Sequence, residues 1–367
     1  MRVRLEDVCE KESSKLKQSD VIDQNGLYPV YGASGYLGNI NTYQQSNYYI
    51  AVVKDGAGIG RTMLLPPESS IIGTMQYLIP KDNVLPEYLY YVVKAKHLEK
   101  YFSGATIPHI YFKDYKNEQF DLVSFEEQRV IINRLKKIEI IIDNLSKNLL
   151  LLDELVRARF VEMFGDPRIN EKKWKAGKIV DYFEVKGGKR IPKGMGYAER
   201  KTNHPYLRAS DMKNATILDD DIHYIDEEVY KRIKRYTVNA HDIYLTNVGV
   251  NLGMAGVIPK QYDGANLTEN AVKLVPKDKI LLNGMFLSYY INSPGIQHYI
   301  NERKMSVGVP KLAIFRIESM PLLLPPLELQ NQFASFVEEV DKSRSRIQKS
   351  LEASQELFDS LMQEYFG

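Results

Sequence analysis

Cysteine is almost absent from this 367-residue chain: Cys9 is the only one. A lone cysteine excludes a disulfide framework and any cysteine-rich metal site, and it fits a reducing cytoplasm. The six histidines (97, 109, 204, 223, 241 and 298) show no i, i+4 pair and no H-E-x-x-H, so no metal site is indicated. Long apolar runs are missing too. The richest stretch, Ile138 to Val156, is broken by Glu139, Asp143, Lys147, Asp153 and Glu154. It falls short of the ~18 residues that cross a bilayer. The opening M-R-V-R-L-E-D-V lacks the apolar run of a signal peptide.

Catalytic signatures are equally scarce. G-A-G-I-G at 56–60 lacks the G-x-x-x-x-G-K-[ST] of a phosphate-binding loop and reads better as a glycine-rich turn between strands. D-P-R-I-N-E-K-K at 166–173 superficially resembles a nuclease D…E-x-K set, but the spacing is too short and a linker is the better reading. No N-P-P-Y-like segment is present, so methyl transfer has no visible catalytic set.

Charge is balanced overall, at +2, and unevenly distributed. Residues 1–121 carry 13 basic against 14 acidic residues, and 122–166 carry 7 against 8. Residues 167–324 carry 25 against 17, and 325–367 carry 4 against 8. Only the third block is clearly basic. Such a block attracts phosphate backbones, or is a solvated lysine-rich surface.

The chain is rich in self-similarity. L-V-R-A-R-F-V-E-M-F-G at 155–165 and L-F-D-S-L-M-Q-E-Y-F-G at 357–367 share Leu, Glu, Phe and Gly at an offset of 202. The same offset carries Leu122 onto Leu324, Glu126 onto Glu328, Gln128 onto Gln330, Lys147 onto Lys349 and Leu149 onto Leu351. Ile107-Pro108 falls on Val309-Pro310. In the first copy Ile131, Leu135, Ile138, Ile142, Leu145, Leu149, Leu152 and Val156 form an a/d heptad seam, the mark of a coiled coil. The second copy keeps it as Phe333, Val337, Val340, Ile347, Leu351, Phe358 and Leu361. Arg344 and Ser354 stand at two seam positions, where they weaken the seam or fix its register. Pro325-Pro326 marks a helix start, and Gly165 and Gly367 fit C-caps. The spacing predicts helices roughly 50–57 Å long.

Before each helix lies a looser match. Residues 4–8 pair with 178–182, 28–30 with 204–206, 55–61 with 247–253, and 78–82 with 274–278. Tyr48–Val53, Ile71–Ile79 and Ala271–Val275 read as strands between turns. The predicted order is a mixed α/β domain over 1–121, a long helix over 122–165, a second domain over 166–324 and a second helix over 325–367. The two helices can pair with each other.

This layout resembles the specificity (S) subunit of type I restriction–modification systems. The resemblance rests on L-V-S-F-E-E-Q ending at 128 and L-P-P-L-E-L-Q ending at 330, which open the long helices. In the first domain it rests on Y-P-V-Y-G-A-S-G-Y-L-G (28–38) and V-K-D-G-A-G-I-G-R (53–61). In the second it rests on E-V-K-G-G-K-R-I-P-K-G (184–194), Y-L-R-A-S-D (206–211), T-N-V-G-V-N-L-G (246–253) and V-G-V-P-K-L (307–312). It covers essentially the whole chain. One departure is that the second copy has a lead-in at Trp174 while the first begins at once, so an edge element is expected to be missing from the first domain.

The resemblance implies a non-catalytic reader of double-stranded DNA. Each target recognition domain binds one half of a split, asymmetric site, and the long helices pair as an antiparallel coiled coil that spaces the domains. They also dock two methyltransferase (M) subunits, which carry S-adenosylmethionine and methylate adenine N6. Restriction (R) subunits then join. The chain itself needs no cofactor, and no membrane is involved. Candidate DNA contacts are Tyr31, Ser34, Tyr36, Lys54 and Arg61 in the first domain. In the second they are Lys189, Arg190, Arg208, Ser210, Asp211, Lys213, Thr246, Asn247, Asn251, Lys304 and Lys311. Arg and Lys suit guanine or phosphate, and Asn suits adenine, although Asn also recurs in turns for backbone reasons. Ile140, Ile141, Leu150 and Leu151 lie off the seam and need cover, from docked partner helices or from the chain's own domains. Two other readings stay open: an enzyme with a cryptic nuclease or methyltransferase site, and a coiled-coil scaffold without sequence preference.

Overall fold

The computed structural model describes the chain except residues 23, 105–107, 214, 278–281 and 306–307. Ile107 and Val307 of the motifs above therefore lie outside the described residues. The chain forms two compact units, Met1–Asn148 with Ile347–Gly367, and Leu149–Arg346.

The first unit opens with β1 (Arg2–Arg4), α1 (Leu5–Val8) and β2 (Cys9–Ser13). It continues through β3 (Tyr28–Gly32), β4 (Gly35–Ile40), β5 (Tyr49–Val53), β6 (Thr62–Leu65), β7 (Ser70–Ile71) and β8 (Met75–Pro80). Then come α2 (Pro86–Ala95), α3 (Phe112–Tyr115), β9 (Gln119–Asp121) and α4 (Phe125–Phe164). One sheet runs β2-β8-β5-β6, all antiparallel, and a second runs β4-β3-β7 with β3 and β7 parallel. Every residue of β5 is buried, as its unbroken Tyr-Ile-Ala-Val-Val demands. The run Ile71–Ile79, expected as one strand, is two. A turn at Ile72–Met75, closed by Met75 N–H donating to Ile72 O at 3.0 Å, sends β7 and β8 into different sheets.

The second unit repeats this plan. It contains β10 (Lys175–Lys178), α5 (Ile179–Tyr182), β11 (Phe183–Gly187), β12 (Pro205–Leu207), β13 (Met212–Lys213), β14 (Thr216–Ile217) and β15 (His223–Tyr224). These lead to α6 (Glu227–Ile233), β16 (Ile243–Thr246), β17 (Ala255–Val257), β18 (Asn266–Leu267) and β19 (Ala271–Pro276). Last come α7 (Gly284–Asn292), α8 (Pro294–Arg303), α9 (Ile314–Glu318), β20 (Pro321–Leu324) and α10 (Leu327–Phe366). Its sheets, β11-β19-β16-β17 and β15-β12-β18, match those of the first unit strand for strand. The β13–β14 hairpin is an addition. The edge element expected to be missing from the first domain is present: β1 pairs with β9 as β10 pairs with β20. Three residues suffice because buried Val3 sits opposite buried Phe120.

Both long helices span 40 residues, hence about 60 Å each at 1.5 Å per residue. Ser124 and Glu127 form a capping box at the start of α4. Gly165 follows α4 at φ +77°, a left-handed value that glycine adopts without strain. Within the first unit Ile131, Ile132 and Leu135 pack on Phe358, Met362 and Phe366, with Ile138, Ile142 and Leu361 beside them. Within the second, Val156, Phe160 and Phe164 pack on Phe333, Val337 and Val340, with Leu152 beside them. Low numbers meet high numbers in both places, so the pairing is antiparallel. Leu145, Leu149, Ile347 and Leu351 are half-buried. Arg344, at a polar seam position, reaches Asp153 of the opposite helix at 2.7 Å. Ser354 bonds Ser350 O of its own helix.

The recurring glutamine at the start of each long helix has a defined task. Gln128 is buried; its Oε1 accepts from Leu85 N–H at 2.9 Å and its Nε2 donates to Val123 O at 3.0 Å. Gln330 does the same with Asn283 N–H at 2.8 Å and Pro325 O at 2.8 Å. Each glutamine thus latches a long helix to the N-terminus of α2 or α7. Among the described residues no helix is long and apolar enough to cross a membrane.

Candidate nucleic-acid interface

In the first unit the β3–β4 hairpin presents Tyr31 and Tyr36, whose rings meet edge to face at 6.2 Å, with Ser34 exposed at its turn. Arg61, on the glycine-rich loop after β5, donates to Ala33 O at 2.8 Å. Tyr31, Ser34, Tyr36 and Arg61 are thereby gathered on one face. Lys54 starts the same loop, 3.7 Å from Asp55. Asp55 also meets His109 Nδ1 at 2.6 Å.

In the second unit Lys189 and Arg190 follow β11. Gly188 is required there, because a Cβ would lie 2.0 Å from Thr268 O. Lys189 N–H bonds Leu267 O and its ammonium lies over the Tyr236 ring at 5.7 Å. The Arg190 side chain is 78% exposed and is held by Glu269 at 2.6 Å. Burial pushes the Glu269 carboxyl up, yet the Arg190 hydrogen bond and its other donors hold it below the usual range. Arg190 is therefore aimed and accessible. Lys213 is exposed on β13. Ser210 is exposed and donates to Asp211.

Arg208 is differently placed. Its Nε and Nη2 hold Asp211, which is 5% exposed, Nη2 also reaches Asp221, and Nη1 meets His223 Nε2 at 3.2 Å. Hydrogen bonding to Asp211, against the opposing effect of burial, raises the guanidinium above its ordinary value. The donors are spent inside the protein, so Arg208 and Asp211 are a clamp that shapes the loop and have little left for a base. Thr246 and Asn247 are buried as well. The Thr246 hydroxyl donates to Asn251 O and accepts from Met254 N–H, and Asn247 Nδ2 donates to Leu312 O. Asn251 Nδ2 reaches Ala209 O at 3.3 Å. These three build the loop that carries them. Their turn-forming role, one of two readings open in the sequence, is the one the burial supports. Lys304 is half-buried and bonds Asn301; Lys311 is exposed.

Sequence reasoning passed over His109, Glu269 and His223. Glu269 and His223 act through partners far away in the chain and left no local signal. His109 did leave one, since the offset of 202 places it on Lys311. The Asp166 carboxylate is bound by Arg168 at 2.7 Å, which supports a turn rather than a nuclease set. Among the described residues no group of three His, Cys, Asp or Glu side chains could hold a metal ion.

Ile140, Ile141, Leu150 and Leu151 on α4 are 59%, 48%, 65% and 57% exposed.

The chain matches the family described as type I restriction modification DNA specificity domain over residues 1–151 and 171–355. It is 24% identical over 306 residues to the MjaIX specificity subunit of Methanocaldococcus jannaschii, covering 78% of this chain and 69% of the relative. It is 23% identical over 145 residues to the EcoBI specificity subunit of Escherichia coli, covering 40% and 30%. Its fold is that of the type I restriction–modification S subunit of Mycoplasma genitalium (TM-score 0.64, 17% identity, 100% and 96% coverage). A chain from a study of type I assembly and conformational transition is comparably similar (TM-score 0.61, 14% identity, 100% and 97% coverage). A tandem pair of DNA specificity domains, each leading into a long helix of an antiparallel pair, thus places this chain in the type I restriction–modification specificity family, whose part in the complex is DNA sequence specificity.

Proposed function

We propose that this chain reads a bipartite, asymmetric DNA site, one half per recognition domain, and performs no chemistry itself. The observation that carries this reading is two units with the same strand order but different outer loops. The shared frame supports a shared task. The differences, the β13–β14 hairpin above all, support two unlike half-sites. Arg190, Lys189 and Lys213 would read or grip DNA in the second domain, and Tyr31, Ser34, Tyr36 and Arg61 in the first. An arginine held through its Nε by a carboxylate, as Arg190 is by Glu269, keeps its two terminal nitrogens for bidentate contact with guanine.

Two adenine-N6 methyltransferase subunits would dock on the long helices, with exposed Leu150 and Leu151 offering apolar contact. S-adenosylmethionine would belong to those subunits. Restriction subunits would join the assembled complex. Inserting or deleting one helical turn in both long helices would change the unread spacer between half-sites.

The test is co-purification with the partner methyltransferase subunit, followed by methylome sequencing of DNA exposed to the complex. A split motif with methyl-adenine in both halves supports the reading. A chain that forms no such complex, yet cuts or methylates DNA alone, would establish the enzyme reading instead.

A further inference from the structure

Each unit contains one composite loop with the same hydrogen bonds. In the first, Gly56 N–H donates to Pro108 O (3.1 Å), Ile110 N–H to Lys54 O (2.9 Å), and His109 and Ser103 exchange N–H···O bonds at 2.8 Å. Gly60 N–H closes the loop on Val53 O at 2.9 Å. In the second, Gly249 N–H donates to Pro310 O (2.9 Å), Leu312 N–H to Asn247 O (2.8 Å), and Lys311 and Met305 exchange bonds at 3.2 and 2.8 Å. Gly253 N–H closes it on Thr246 O at 2.8 Å. His109 and Lys311 therefore occupy the same place in the two units.

Three features of this platform point to one ligand. Gly56 and Gly249 have φ of +84° and +102°, and among the described residues a Cβ on either would meet nothing within 4 Å. A glycine in this conformation leaves its backbone open to close approach. The residue after each carbonyl that accepts from these glycines is basic, His109 after Pro108 and Lys311 after Pro310. With Nδ1 committed to Asp55, His109 Nε2 is the ring nitrogen left for a ligand, and it donates in the imidazolium form. The neighbouring tips are not alike: exposed Ala57 in the first unit corresponds to Val250 in the second, which is 98% exposed. What the units share is a basic side chain type and an open glycine, which suits an anion better than an apolar partner surface.

We infer that this duplicated platform grips one backbone phosphate of the duplex in each half-site through His109 and Lys311, independently of base sequence, while Arg190 and the hairpin residues read bases. The inference rests on the DNA-reading function proposed above. It separates positioning contacts from base readout, which carry affinity and specificity respectively.

The experiment titrates the full chain with a duplex carrying its motif and with a scrambled duplex, across a salt series. His109→Ala and Lys311→Ala should each weaken both duplexes by the same factor. Lys311→Ala should also lower the slope of log affinity against log salt by about 0.9. His109→Lys, which transfers the second unit's residue, should restore the affinity that His109→Ala loses, and the methylated motif should not change. Lys311 is exposed, so its variant remains informative even if His109→Ala disturbs the fold. Unchanged affinity and slope in Lys311→Ala would overturn the inference, as would an altered motif. So would loss of methyltransferase binding with DNA binding intact, which would make the platform a protein-docking surface. A wild-type chain with no sequence preference would instead sink the DNA-reading function itself.

Discussion

Gln128 is the position where one substitution reports most directly on how the long helix is joined to its domain. Its side chain satisfies two backbone groups, the N–H of Leu85 at the start of α2 and the carbonyl of Val123 before α4. Gln128→Ala removes both partners in a buried place. An orphaned buried polar group costs about 1–3 kcal/mol, so the pair costs roughly 2–6 kcal/mol before any cavity is counted. For a unit of this size that lowers Tm by at least about 4 °C, taking 2–4 °C per kcal/mol. Gln128→Glu is the sharper variant. Its carboxylate can still accept from Leu85 but cannot donate to Val123 O unless protonated. Burial raises such a carboxyl, so the protonated form contributes stability that is present at acid pH and lost as pH rises. The Glu variant should therefore be weaker than wild type at pH 7 and recover towards pH 4, whereas the Ala variant should show no recovery. Thermal unfolding followed by circular dichroism reads both. A Tm change under about 1 °C for Gln128→Ala would mean that water replaces the side chain without loss, and the latch would not be what joins helix to domain.

Arg208→Ala should destabilise the second unit by about 3–5 kcal/mol, because it strands the buried Asp211 carboxylate, and melting should show it; a stable variant with a changed DNA motif would restore Arg208 as a base reader. Leu150→Glu with Leu151→Glu should leave the melting curve in place and abolish methyltransferase co-purification, since both side chains are exposed in the chain alone. Alkali should unfold the protein. Burial pushes Tyr77, Tyr88, Tyr206 and Tyr289 up to about 12 each. A raised folded value means stability present below the ordinary tyrosine value of about 10 and lost as pH rises through 12. Exposed tyrosines ionise first, so part of the tyrosinate absorbance should appear only as circular dichroism is lost; full tyrosinate absorbance with circular dichroism intact would contradict that burial.

Much of the architecture was legible because repetition and periodicity are properties of the chain itself. Heptad spacing marks a helix whatever packs on it, and an offset of 202 exposes a duplicated plan without any knowledge of contacts. The presence of two long helices and Arg344 at a polar seam position followed from pattern, the helices proving somewhat longer than expected at 40 residues each, while their antiparallel pairing was implied by the family resemblance. The expected gap at the first edge was wrong because a three-residue strand leaves almost no pattern to see. Ile71–Ile79 read as one strand because its apolar residues continue through a turn.

The candidate interface was less legible. Arg190 and Arg208 look alike in sequence, each a basic residue beside a turn. Only the fold brings Glu269 to hold one at the surface and Asp211, Asp221 and His223 to enclose the other. Thr246 and Asn247 have base-reading chemistry, and their burial took them out of reach. His109 was visible in the repeat as the counterpart of Lys311, but its meaning depends on Asp55, which lies 54 residues earlier in the chain.

By itself the sequence determined the duplicated α/β plan, the two long helices and the kinship with DNA specificity subunits, since these depend on order, spacing and composition along the chain. The tertiary structure alone decided which cations are free, which glutamine joins helix to domain and which loops coincide in the two units. Those outcomes depend on burial and on partners distant in sequence, and neither is encoded at any single position.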